Sequence, residues 1–173
     1  MVVQSDKRKN SVYLSLGTNL GNRLEHLNQA IAQLQLIAHE EVQVSPIYES
    51  EPWGNDSLKP FFNCVVHLST NLDPIHLLKK TQEIEKGIGR GKKSQGTEYK
   101  NRVIDIDLLT YNNLTIDSFC LAIPHPHLTK RRFVLLPFAD MAPNLLLPYS
   151  SQSIENNLLH CEDRLWCKKI KEK

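Results

Sequence analysis

The stretch Arg102-Val103-Ile104-Asp105-Ile106-Asp107-Leu108-Leu109 decides how this chain of 173 residues is read. It is short and rich in β-branched residues, which suits a β-strand. Side chains alternate between the faces of a strand, so Asp105 and Asp107 point the same way, with Cα atoms roughly 6.5 Å apart. Ile104, Ile106 and Leu108 fill the opposite face, while Val103, Leu109 and Tyr111 share the face of the aspartates. Carboxylates among apolar neighbours are costly without a counter-charge. The pattern therefore predicts a cation between them. A hard metal ion is the natural candidate, because Mg²⁺ takes one or two carboxylates and completes its shell with substrate phosphates.

The segment just upstream is basic. From Lys86 to Arg102 it holds Lys86, Arg90, Lys92, Lys93, Lys100 and Arg102 against the single acid Glu98, and four of the seven glycines of the chain. Glycine gives backbone freedom and the bases give anion affinity, so the segment reads as a lid for a polyphosphate carrying its metal. Gly87-Ile88-Gly89-Arg90-Gly91 is not a phosphate-binding fingerprint, because such loops follow a strand and this one follows a helix.

Further out, Ser11 to Leu16 alternates as a first strand, and Gly17 to Asn22 breaks it. A helix capped by Asn22 follows, with Leu24, Leu27, Ala30, Ile31 and Leu34 at helical spacing. Val42 to Tyr48 is a second strand, Ser50 to Pro60 a long loop, and Phe61 to Thr70 a third strand. Asp73-Pro74 opens a second helix as N-cap and first residue, with an apolar stripe of Ile75, Leu77, Leu78 and Ile84, ending from Gly87. The order βαββαβ predicts an α+β fold: a ferredoxin-like antiparallel sheet with helices packed on it, plus C-terminal additions. Those additions are a short strand at Leu121 to Pro124, a helix from Thr129 to Ala139 interrupted near Pro137, and a last helix at Ile154 to His160. Residues 1–10 read as a frayed tail, 11–160 as a single domain, and 161–173 as a polar, basic tail.

Composition bounds the function. A net charge of +2 is too small to imply a nucleic-acid partner, no apolar run approaches a membrane span, and the N-terminus lacks the apolar core of a signal peptide. A cytoplasmic protein is expected. Cys64 and Cys120 lie in apolar runs and read as core residues, whereas Cys161 and Cys167 lack the spacing of a zinc site.

Four other constellations carry chemistry. His125, between two prolines in Ile123-Pro124-His125-Pro126-His127, suits a phosphate contact or acid–base work near neutral pH. Arg131 and Arg132 diverge by about 100° on a helix, so at most one of them faces the site. Gln82 and Glu85, three apart, share a helix face at the mouth of the basic loop. The aromatic residues Trp53 and Phe61 suit a flat heterocycle, with Asn63 reading its polar edge. Two other classes fit parts of this pattern. One is an RNA-binding sheet, which needs exposed aromatics on its central strands. The other is a different Mg²⁺-dependent nucleotide enzyme using an acidic pair.

Taken in order, these elements resemble the 6-hydroxymethyl-7,8-dihydropterin pyrophosphokinase family of folate biosynthesis, from about Val12 to Pro148. Leu16-Gly17-Thr18-Asn19-Leu20-Gly21 is similar to the family's Gly-Ser-Asn-Leu-Gly. Tyr48-Glu49-Ser50-Glu51-Pro52-Trp53-Gly54 resembles its first pterin-side loop and Phe61-Phe62-Asn63 its aromatic-x-Asn element. Arg102 to Asp107 is similar to its most specific signature, and Pro124-His125-Pro126 and Arg131-Arg132-Phe133 complete the order. The resemblance implies ATP as co-substrate, AMP as product and two Mg²⁺ ions held by Asp105 and Asp107. It implies Arg90 and Arg102 as catalytic residues beside the aspartates. ATP would be bound by Gln82, Glu85, Lys92, Arg102, His125 and Arg131. The pterin would be bound by Ser50, Glu51, Trp53, Phe61, Asn63 and Phe133. A monomer acting on these two small molecules, with no nucleic acid or membrane, is expected. The chain departs from the pattern at Tyr99-Lys100-Asn101, where Trp-Gly-Pro is frequent in the family, and at Pro126, where an aromatic is common.

Overall fold

In the computed structural model, which describes residues 9–54, 59–89 and 101–170, alternation in the first strand organises the whole sheet. β1 (Asn10–Thr18) sends Val12, Leu14 and Leu16 to one face and Tyr13, Ser15 and Gly17 to the other. It is central, pairing antiparallel with β4 (Phe61–Thr70) and with β5 (Asp105–Tyr111). Beyond β4 lie β3 (Tyr48–Ser50) and β8 (Cys167–Lys169), giving the order β5-β1-β4-β3-β8, with the two-residue β2 (Gln43–Val44) also on β4. The inner order β5-β1-β4-β3, antiparallel throughout, is the ferredoxin-like arrangement that the sequence implies.

Each face is covered. On one, α1 (Arg23–Gln35) and α2 (Pro74–Ile88) bury Leu27, Ala30, Leu34, Leu77 and Ile84 against Val12, Leu14, Leu16, Ile106 and Leu108. Their N-caps are the expected ones: Asn22 accepts from the Glu25 amide, and Asp73 accepts from the Ile75 and His76 amides with Pro74 following. α2 runs past Gly87 and stops at Gly89, whose φ of 109° is the left-handed conformation that glycine adopts freely. Leu24 and Ile75, expected in the apolar stripes, are instead 48% and 42% exposed, both in the first turns of their helices. On the second face, α3 (Arg132–Met141) and α4 (Ile154–Leu159) bury Val134, Leu135, Phe138 and Ile154 against Val65 and Leu109.

Several expectations give way to local chemistry. The strand foreseen over Val42 to Tyr48 is two strands: the Ser45 hydroxyl, 2.9 Å from the Val65 amide, takes the place of a ladder carbonyl, and Pro46 has no amide to donate. β5 begins at Asp105, not Arg102. Between Tyr13 and Leu14 the register slips, so Leu108 and Thr110 face consecutive β1 residues and Leu109 is the extra one. Past this bulge the faces exchange. Tyr111 joins Val12 in the first core and does not share the aspartates' face.

The segment Thr129 to Ala139 breaks earlier than expected. A 3₁₀ turn at Leu128–Lys130 gives way to an extended Arg131, and α3 then continues through Pro137. The short strand at Ala122–Ile123 (β7) pairs with Ile116–Asp117 (β6). Cys64 is buried as foreseen, but Cys120 is exposed on the turn joining β6 to β7. Residues 161–173, read as a tail, contain buried Cys161 and the paired strand β8. No helix among the described residues is long and apolar enough to cross a membrane.

Candidate active site

The alternation that fills the first core leaves Ser15 and Gly17 of β1, Phe61 and Asn63 of β4, and Asp105 and Asp107 of β5 side by side on the second face. At this end of the sheet α3 does not cover them. A cavity opens, walled by Ser50, Glu51 and Trp53 after β3, by Arg131 and Phe133 before and at the start of α3, and by Arg102. Ten of the expected site residues thus converge: Ser50, Glu51, Trp53, Phe61, Asn63, Arg102, Asp105, Asp107, Arg131 and Phe133.

Arginines supply counter-charge to both aspartates. The Arg102 guanidinium pairs with the Asp105 carboxylate, whose side chain is 13% exposed. Arg131 approaches the Asp107 carboxylate to 4.0 Å. Its guanidinium also lies 4.8 Å from the centre of the Trp53 ring and 5.8 Å from that of Phe133, so cation–π attraction aligns it across the cavity. Arg131 reaches in because it is extended, outside the helix, while Arg132 turns away into α3. The buried Arg131 Nε has no hydrogen-bond partner among the described residues.

The recognition wall is pre-set. Asn63 donates from Nδ2 to the Ser50 hydroxyl at 2.8 Å, which fixes the amide. A Cβ at Gly17 would come within 3.1 Å of Asn63 Oδ1, so the close approach of β1 requires glycine. The His127 ring lies tilted against Trp53 with centres 5.6 Å apart, and burial first, then the charges of Arg131 and Lys130, push its pKa below the ordinary 6.5.

Some expected residues lie elsewhere. Glu85 is only 2% exposed, and its carboxylate accepts from the Ile106 amide at 2.8 Å. It anchors α2 to β5 between the two aspartates and does not line the cavity. Gln82 is half-buried on α2, also outside the lining. His125 sits beside the cavity: its amide donates to Leu109 O at 2.9 Å, and its Nδ1 accepts from the His127 amide at 3.1 Å. Arg90, Lys92 and the rest of the basic loop to Lys100 lie outside the described residues.

Asn19, in the quoted glycine motif, is not among the expected site residues, yet it ties down the entry to β5. It is 2% exposed, and its Oδ1 accepts from the Arg102 amide at 2.6 Å. Its Nδ2 donates to Asn101 Oδ1 at 2.7 Å and to Lys59 O at 3.0 Å, and its own amide donates to Arg102 O at 3.0 Å. Asn19 thereby clamps the chain where it enters the aspartate strand. Ser15 was missed as well; its alternation with Leu14 and Leu16 was the available signal.

The acidic pair suits a hard cation. Both carboxylates face one cavity as oxygen donors, and among the described residues no group of three or more His, Cys, Asp or Glu forms a closed protein cage. Such a ligand-poor site fits an ion that arrives with phosphate oxygens.

The model of the 7,8-dihydro-6-hydroxymethylpterin-pyrophosphokinase (HPPK) family matches residues 13–143, ending before α4 and β8. A 2-amino-4-hydroxy-6-hydroxymethyldihydropteridine pyrophosphokinase of Porphyromonas gingivalis is 44% identical over 133 residues, covering 76% of this chain and 90% of the relative. One of Bacillus subtilis is 38% identical over 133 residues, covering 76% and 78%. Among solved structures, a wild-type Plasmodium falciparum HPPK-DHPS with SDX-DHP superposes with a TM-score of 0.69 at 17% identity, over 88% of this chain and 44% of that one. That likeness bears on the fold alone, and this chain spans less than half of that longer protein.

Proposed function

Because the chain belongs to the 7,8-dihydro-6-hydroxymethylpterin-pyrophosphokinase family, we propose that its cavity seats the pterin against Asp105 and Asp107 while Arg102 and Arg131 hold the phosphates of ATP. The reaction transfers a pyrophosphoryl group from ATP to the hydroxymethyl group of 6-hydroxymethyl-7,8-dihydropterin and releases AMP, a step of folate biosynthesis. The observation that carries the assignment of residues is the convergence of two aspartates, two arginines and three aromatic rings on one cavity.

Each residue has work that its geometry suits. Phe61 and Phe133 pack the faces of the flat ring, with Trp53 beside them. Asn63, held by Ser50, reads the ring's polar edge with its remaining amide hydrogen and its oxygen, and the Ser50 to Trp53 backbone supplies further partners. Asp105 and Asp107 would hold Mg²⁺, two ions in this reading, and bound Mg²⁺ supplies neutralisation of phosphate charge. Arg102, released from Asp105 to the incoming phosphates, stabilises charge that builds on them, and Arg131 does the same from across the cavity. Arg90, Lys92 and His125 join them as phosphate ligands, and Gln82 and Glu85 shape the nucleotide side. Positioning of the pterin hydroxyl against the β-phosphorus then contributes more than covalent help. We take the protein as a cytoplasmic monomer that needs no nucleic acid, with a catalytic domain that runs from residue 11 past residue 160 to include β8.

An RNA-binding sheet fits less well. α3 and α4 cover the face that would present aromatics, and its open end carries Asp105 and Asp107. The test is product analysis with ATP, Mg²⁺ and the pterin. AMP formed in step with pterin consumed supports the reading; free pyrophosphate would argue for nucleotidyl transfer and overturn it.

A further inference from the structure

Residues 163–169, beyond α4, bind both walls of the pterin cavity. Asp163 Oδ2 accepts from the Arg132 amide at 2.9 Å, and Oδ1 accepts from the Leu165 amide at 3.0 Å. The first of these bonds caps α3. That helix has no side-chain cap of its own, since the residue in the capping position is Arg131. Three residues on, the Trp166 amide donates to the Glu51 carboxylate at 2.8 Å, and the Glu51 amide donates back to Trp166 O at 3.0 Å. β8 then continues as an antiparallel partner of β3, with Ser50 opposite Cys167 and Tyr48 opposite Lys169. Its far end is tied to α3 as well: Lys169 Nζ and the Tyr48 hydroxyl both donate to Asp140 Oδ2, at 2.9 and 2.8 Å. Burial and the Asp140 carboxylate keep the Tyr48 phenol protonated by raising its pKa.

We infer that residues 163–169 brace the cavity, with Asp163 a positioning residue that sets Arg131 and Phe133 through Arg132, and with Trp166 setting the Ser50 to Trp53 wall through Glu51. The inference rests on the pterin-binding role proposed above for those two walls. β3 is only three residues long, and on its outer side β8 is its partner. Without the brace, the Glu51 end of the wall loses a reciprocal pair of hydrogen bonds, and the start of α3 exposes an unpaired amide. Both walls would then sample positions too open for a flat ring, because a recognition site needs its side chains held within fractions of an ångström.

The test compares Asp163→Ala, Asp163→Asn and the exposed-site control Glu162→Ala in the full chain. Asp163→Ala is expected to raise the pterin KM roughly five- to tenfold, the loss of one capping bond, and to raise the ATP KM by a smaller factor through the displaced Arg131. Asp163→Asn keeps one acceptor oxygen and should fall between Asp163→Ala and wild type. Glu162→Ala should match wild type. In parallel, hydrogen exchange at the amides of residues 50–54 and 132–135 should accelerate in Asp163→Ala. If Asp163→Ala does not fold, the same readouts on Asp163→Asn decide the matter. An unchanged pterin KM, or an ATP KM that rises more than the pterin KM, overturns the brace while leaving the pyrophosphokinase reading intact. If wild type shows no pterin-dependent AMP release, that reading fails instead. The exchange measurement then decides the brace alone, and unaltered exchange on both walls refutes it.

Discussion

Replacing Asn19 by alanine tests how the aspartate strand is held. The side chain makes three hydrogen bonds: from the Arg102 amide at 2.6 Å, to Asn101 at 2.7 Å and to Lys59 O at 3.0 Å. A typical internal hydrogen bond contributes about 1 kcal/mol net, and leaving a buried donor unpaired costs about 1–3 kcal/mol. Asn19 is 2% exposed, so little water compensates. The expected loss is about 2–3 kcal/mol. For a domain of this size that is a fall of about 5–10 °C in thermal midpoint. Asn101→Ala removes one of the three bonds and should cost about 1 kcal/mol. Because the lost contact releases Arg102, which pairs with Asp105, kcat/KM should fall roughly ten- to a hundredfold, the usual effect of displacing a positioned group by an ångström. Chemical denaturation and steady-state kinetics on both variants measure the two quantities. An Asn19→Ala protein less than 0.5 kcal/mol below wild type, by about the accuracy of such measurements, or one with unaltered kcat/KM, refutes the clamp.

Gly17→Ala places a Cβ 3.1 Å from Asn63 Oδ1; we expect about 1 kcal/mol of destabilisation and a pterin KM raised several-fold, with kinetics as the check. Arg131→Lys keeps the charge but loses the planar group between Trp53 and Phe133, so kcat/KM should fall by about tenfold or more, and lysine restoring full activity would refute the stacking role. His127 has a folded-state pKa below the ordinary 6.5, so it favours its neutral form on folding. Its stabilising contribution is present above about pH 6.5 and is lost as pH falls through the lower folded value. Thermal midpoints from pH 7.5 to 5 should therefore decline less steeply in His127→Gln than in wild type.

The sequence carried the core because its signals are local. Alternation of Val12, Leu14 and Leu16, and the caps Asn22 and Asp73, depend on neighbours within a few residues. The carboxylate pair, the aromatics and the two arginines were legible because their residue types are expensive or unusual where they stand. What escaped depends on partners far along the chain. The slip that turns Tyr111 into the first core belongs to the pairing of β5 with β1, and a one-residue shift leaves no mark on either strand read alone. Ser45 looked like a strand residue until its hydroxyl met Val65, 20 positions away. Glu85 shows no sign in composition that its carboxylate accepts from a backbone amide of β5, 21 positions away. Cys167-Lys168-Lys169 has no apolar alternation, so its place as a strand comes from the free edge of β3.

The central claim is that Asp105 and Asp107 are the acidic pair on which transfer depends. Asp107→Asn preserves shape and removes one charge from the cavity. With ATP, the pterin and a Mg²⁺ titration, pterin-dependent AMP release should fall at least about a hundredfold, with half-activation shifted to higher Mg²⁺. AMP release within twofold of wild type, at unshifted Mg²⁺ dependence, would contradict the account.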